Sequence, residues 1–106
     1  NVNPKGGMNR GHLHPNSLWS GVYYVKTPKN CGNLRIDDPR TSASMVRPKM
    51  KDDIPPSRLY RETSYEPVAG RLIMFPSWVT HCVDANQSDE LRISISFNFL
   101  QKGMYV

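Results

Sequence analysis

The stretch Leu91-Arg92-Ile93-Ser94-Ile95-Ser96-Phe97-Asn98-Phe99 decides the fold class. Leu91, Ile93, Ile95, Phe97 and Phe99 alternate with Arg92, Ser94, Ser96 and Asn98, which is the period of a β-strand whose two faces meet different surroundings. Two readings of the polar face stay open. It meets water, as half-buried antiparallel strands do, or it lines the mouth of a barrel with Arg92 as the anchor for an anion. Upstream, short apolar runs rich in β-branched and aromatic residues recur at 18–25, 34–37, 57–65, 72–75 and 80–84, each bounded by Gly, Pro, Asn or Asp. Helical periodicity is absent, so the expectation is an all-β chain with at most minor α content, arranged as a sandwich or jelly roll. Segment 41–56 holds three prolines and mixed charges without a period. It is read as a long surface loop, solvated and disordered, with a rim or lid whose Arg47, Lys49 and Lys51 suit an acidic partner as the alternative.

A chain of 106 residues is one domain, 1–106, because a second core would need roughly 50 more residues. It starts at Asn1 without a Met or a basic, apolar leader, which is read as a trimmed start lacking upstream elements. The uncharged run Leu72 to Val83 contains Pro76, Ser77, Thr80 and His81 and is far short of the roughly 20 apolar residues of a membrane span. Net charge is +5, from 14 Lys and Arg against nine Asp and Glu, but the basic residues are scattered. That argues against nucleic acid and fits small anionic ligands. Cys31 and Cys82 allow one disulfide at most, so reduced thiols and a cytoplasmic setting are expected. A homodimer is compatible with this reading.

The chemistry sits in the three histidines. His12-Leu13-His14 sets two imidazoles on one side of an extended segment, and His81 follows Phe75-Pro76-Ser77-Trp78-Val79-Thr80 at the start of a strand. Ordinary loop histidines and a satisfied core histidine are the plain alternative. Three imidazoles with open positions suit Zn, Cu, Fe or Ni, and a facial set suits non-heme Fe(II) oxygen chemistry. A dicarboxylate co-ligand would need a planar cation at its far end, which Arg supplies bidentately. Arg92 stands eleven residues after His81 with a turn between, so the two are expected on adjacent antiparallel strands. Ser94, on the same face, adds a hydroxyl.

The segments GHLHPNSLWSGVYYV, CGNLRIDDPR, PVAGRLIMFPSWVTHCV and LRISISFNF together resemble the 2-oxoglutarate- and Fe(II)-dependent oxygenases related in pattern to the prolyl 4-hydroxylases. The resemblance covers about half the chain. It implies a double-stranded β-helix, a cupin-like barrel with iron at one end, and a dioxygenase that takes 2-oxoglutarate and O2, hydroxylates a primary substrate and releases succinate and CO2. By position it implies His12, His14 and His81 as metal ligands, Arg92 on the far carboxylate of 2-oxoglutarate, and Tyr23 hydrogen-bonded to that carboxylate. The primary substrate is not written in it. The wider superfamily carries an aspartate where His14 stands, so this site is one unit more positive if His14 ligates.

The chain also resembles the cupin pattern, a metalloenzyme reading built on the same three histidines. Five residues separate Gly6 from His12, and five separate Gly70 from Pro76. The fit then fails, because Leu18 and Trp19 occupy the place of the cupin glutamate and Trp78 that of a glycine. A non-catalytic β-sandwich binding module is the remaining alternative. Trp19 and Trp78 are expected in the core. Cys82 is expected to point away from the metal, Asn98 to continue the Arg92 face, and Asp38 with Arg40 to form a structural turn pair.

Overall fold

A computed structural model describes residues 1–40, 42, 45, 51 and 62–103. The loop expected at 41–56 and the first part of the strand expected at 57–65 lie outside the described residues, Ser42, Met45 and Lys51 excepted.

Among the described residues there are eight strands: β1 (Val2–Asn3), β2 (Asn9–His12), β3 (Trp19–Lys26), β4 (Leu34–Asp37), β5 (Glu62–Tyr65), β6 (Leu72–Pro76), β7 (His81–Val83) and β8 (Arg92–Phe99). They form two four-stranded sheets in the orders β1-β8-β3-β6 and β2-β7-β4-β5, with every pairing antiparallel. Only β4 and β5 follow one another within a sheet. Every other step along the chain crosses to the opposite sheet, which is the wiring of a jelly roll. The all-β expectation holds. Because β7 and β8 belong to different sheets, the expectation that His81 and Arg92 share adjacent strands is corrected: they face each other across the sandwich.

The register of the two long central strands decides which face is inside. Tyr24 pairs with Ser94, Val22 with Ser96 and Ser20 with Asn98, while Trp19, Gly21 and Tyr23 pair with Phe99, Phe97 and Ile95. The first set faces the second sheet. Arg92 is 2% exposed and Ser94 is buried, whereas Ile95 is 55% exposed and Phe99 about half exposed. The reading in which the polar face of β8 meets water is therefore corrected at Arg92 and Ser94, which are buried, while Ser96 and Asn98 line the same cavity where it is exposed, and Ile95 and Phe99 point out. The physical reason lies in the interior. Buried apolar residues are Tyr24, Cys31, Leu34, Phe75 and Val79, and they are matched by Ser20, Ser77, His81, Asn86, Arg92 and Ser94. A barrel whose centre is that polar reverses the usual inside-out sorting, and its polar groups must find partners within.

Trp19 and Trp78 are likewise not core. Trp19 lies on the outer face of the first sheet, and Trp78 is 61% exposed at the tip of the β6–β7 turn. Both cysteines are free thiols. Asp38 and Arg40 do pair, Asp38 accepting from the Arg40 main chain at 2.9 Å and from its guanidinium at 3.0 and 2.7 Å.

Candidate active site

One cavity of about 170 Å³ opens between the sheets, lined among others by His12, His14, His81, Tyr24, Arg92 and Asn98. β2 and β7 deliver two of its histidines. Their register shifts between Asn9, opposite Val83, and His12, opposite His81, so β2 spends three residues where β7 spends two. Such a bulge re-aims the side chain that follows it, and here His12 is placed squarely against His81. β2 ends at His12, so His14 is not on the same strand face as expected. It sits in the following loop, where its N–H donates to Ser77 O at 3.0 Å and its carbonyl accepts from Ser17 at 3.3 Å. The three rings nevertheless converge, with centroid separations of 5.0 Å (His12–His14), 4.3 Å (His12–His81) and 5.2 Å (His14–His81).

One nitrogen from each histidine lies within 4.8 Å of the others, and no Asp, Glu or Cys among the described residues joins the cluster. Two of the rings have their tautomer fixed. His12 Nδ1 lies 2.6 Å from Arg10 O and His81 Nδ1 3.0 Å from Val79 O, and because a carbonyl can only accept, both Nδ1 atoms carry the proton. Nε2 of each is left with its lone pair, the form in which imidazole binds a metal. Burial pushes the pKa of His81 below 6.5, aided by His12 and His14 and opposed by the Val79 hydrogen bond; His14 is lowered by burial and then by His12. Neutral imidazoles are thereby favoured. Phe75 packs its ring on His81 at 4.5 Å and walls one side. The donor set fits a divalent transition metal.

Arg92 enters the cavity from the start of β8. Its Nη1 donates to Cys31 O at 2.5 Å and to Asp84 O at 3.2 Å, and among the described residues it pairs with no carboxylate. The Asp84 carboxylate is taken by Arg35 Nη2 at 2.9 Å. A buried guanidinium held only by neutral carbonyls lacks a counter-charge, and leaving it so costs several kcal/mol in round terms. With both Nη1 protons engaged, the Nη2 and Nε edge is the fork left for a carboxylate. The site therefore fits a dicarboxylate as well as a metal.

Tyr23 is corrected. It is 40% exposed on the outer face beside Leu72 and Ile95, while Tyr24, 3% exposed, lines the cavity opposite Ser94. The signal was available in the parity of β3: once Ser94 is inside, its cross-strand partner is the even-numbered tyrosine. Ser94 does face the cavity. Sequence reasoning also missed a hydrogen-bond chain beside the histidines. Ser20 Oγ donates to Asn98 Oδ1 at 2.7 Å, and since a hydroxyl has one proton, the 2.7 Å bond between Ser77 and Ser20 is donated by Ser77.

The comparisons agree with this geometry. Residues 1–98 match the family model described as "Putative 2OG-Fe(II) oxygenase". A crystal structure of a prolyl-4-hydroxylase from Pseudomonas putida superposes with a TM-score of 0.64 at 25% identity, covering 96% of this chain and 49% of that one. The chain thus spans about half the length of that hydroxylase. Among curated proteins, none matches it. No helix among the described residues is long and apolar enough to cross a membrane. A three-histidine cluster, a buried arginine in the same cavity with no carboxylate partner among the described residues and a family match over nearly the whole sequence agree, and the chain belongs to the 2-oxoglutarate- and Fe(II)-dependent oxygenase family.

Proposed function

We propose that the chain is the catalytic barrel of an Fe(II)- and 2-oxoglutarate-dependent dioxygenase that hydroxylates a C–H bond of its primary substrate. The observation that carries this reading is the meeting, in one cavity, of three imidazoles with an arginine that has no carboxylate partner among the described residues. His12, His14 and His81 would hold the metal through ring nitrogens, two of them with Nδ1 already pinned to carbonyls. Arg92 receives the far carboxylate of 2-oxoglutarate on its free edge, with the hydroxyls of Tyr24 and Ser94 beside it. Bound together, Fe(II) and 2-oxoglutarate supply O2 activation, with succinate and CO2 as co-products. Leu34, Phe75 and Val83 keep that end of the cavity apolar and limit water. Similarity to a prolyl-4-hydroxylase supports hydroxylation as the reaction class.

The test is to mix the protein anaerobically with Fe(II) and 2-oxoglutarate. A weak visible charge-transfer absorption of a chelated 2-oxoacid is expected. A folded, iron-replete protein without that band overturns the reading.

A further inference from the structure

Arg92 is useful as a carboxylate receptor only if its fork is aimed, and the groups that aim it are main-chain atoms from two distant segments. Cys31 O comes from the β3–β4 loop and Asp84 O from the chain leaving β7; both accept from the same Nη1. The two segments are also stitched together directly, since Asp84 N donates to Asn33 O at 2.9 Å. Between Cys31 and Asn33 stands Gly32, with φ +94°. A Cβ built there would overlap Asp84 O, lie 2.8 Å from the Asp84 carbonyl carbon and 2.9 Å from Arg92 Nη1. The space a side chain would fill is the space through which the two carbonyls converge on the guanidinium.

We propose that Gly32 is a positioning residue for the oxygenase reaction: by leaving room for Asp84 O beside Cys31 O, it holds Nη1 between two carbonyls and turns the Nη2 and Nε edge of Arg92 toward the cavity. It acts through Arg92, and so the inference rests on the assignment of Arg92 to 2-oxoglutarate. Two features separate this role from a glycine that merely serves a turn. The obstruction at Gly32 includes the functional side chain itself. Gly6, which has a similar φ of +83°, has nothing within 4 Å of the place where a Cβ would stand, the arginine included.

The experiment titrates 2-oxoglutarate into anaerobic, Fe(II)-loaded wild type, Gly32→Ala, Gly6→Ala and Arg92→Ala, with Fe(II) affinity and thermal midpoint measured for each. Gly32→Ala should bind 2-oxoglutarate about 10-fold or more weakly, the usual scale for losing an orienting partner, with Fe(II) affinity unchanged. Gly6→Ala bears a comparable backbone strain and should lose stability without losing 2-oxoglutarate. Wild-type affinity in Gly32→Ala, when Arg92→Ala has lost it, overturns the inference. Wild-type affinity in Arg92→Ala overturns instead the assignment on which it rests. A second measurement needs no variant to fold: in metal-free wild type, the Arg92 Nη1 protons should give resolved, slowly exchanging NMR signals, and a single averaged guanidinium signal overturns the proposal.

Discussion

His12 and His81 stand opposite each other in the register of β2 and β7, and each gives its Nδ1 proton to the carbonyl two residues upstream, Arg10 O and Val79 O. The same local device on two strands presents two Nε2 atoms to one point. His14 lacks this arrangement; its loop is tied by its main chain to Ser77.

His12→Ala and His81→Ala should each reduce Co(II) or Fe(II) affinity by more than the roughly 10- to 100-fold typical of an outer hydrogen-bond partner. If His14 completes the set, His14→Ala falls equally far and His14→Asp retains binding, both by calorimetry. A His14→Ala protein within tenfold of wild type would place His14 outside the coordination sphere.

Tyr24→Phe should weaken 2-oxoglutarate by about tenfold or more, since a hydrogen bond to a charged group is worth roughly 1.5–3 kcal/mol and 1.4 kcal/mol is a factor of ten. Tyr23→Phe, on the opposite face, should leave the titration unchanged. The reverse result would mean that the parity of β3 is inverted in solution.

Hydrogen bonds from the Arg40 side chain and main chain lower the Asp38 pKa from 3.8 to about 2. The carboxylate stays ionised below the pH at which an unfolded chain takes up its proton, so what the turn contributes to stability is complete above about 3.8 and is lost as pH falls through about 2. A carboxyl-carbon NMR titration should place the Asp38 midpoint near the lower value, and Arg40→Ala should return it toward the upper one.

Phe97 lies over Gly21, where a Cβ would sit 3.2 Å from one ring carbon and closer still to two others. Gly21→Ala should cost about 1–3 kcal/mol in urea unfolding, the usual penalty of overpacking. The loss should shrink in a Phe97→Leu background, and an equal loss in both backgrounds would locate the penalty in the backbone rather than in this contact.

Much of this molecule can be read from its residues, and the failures share a cause. The alternation in β8 is plain, but alternation fixes parity and not direction; the choice between water and cavity for Arg92 needs the opposite sheet. The habit of placing aromatics inside misassigns Trp19 and Trp78, because a barrel centred on a polar site has little room for them. The same parity error gives Tyr23 the place of Tyr24. The three histidines stand out in the sequence as a group, although the bulge in β2 and the loop at His14 bring them together, not a shared strand face. The carbonyls that hold Arg92 cannot be found from side-chain types at all, since every residue has one.

The outward apolar flank built by Trp19, Tyr23, Leu72, Met74, Ile95 and Phe99 has a practical consequence at the bench. Environment-sensitive dyes such as ANS report exposed hydrophobic surface, and their brightening is commonly taken as a mark of a molten state. This chain will light such dyes while fully folded. Dye-based melting curves of it will begin bright and flatten, so its unfolding is better followed by the near-ultraviolet signal of its tryptophans and tyrosines.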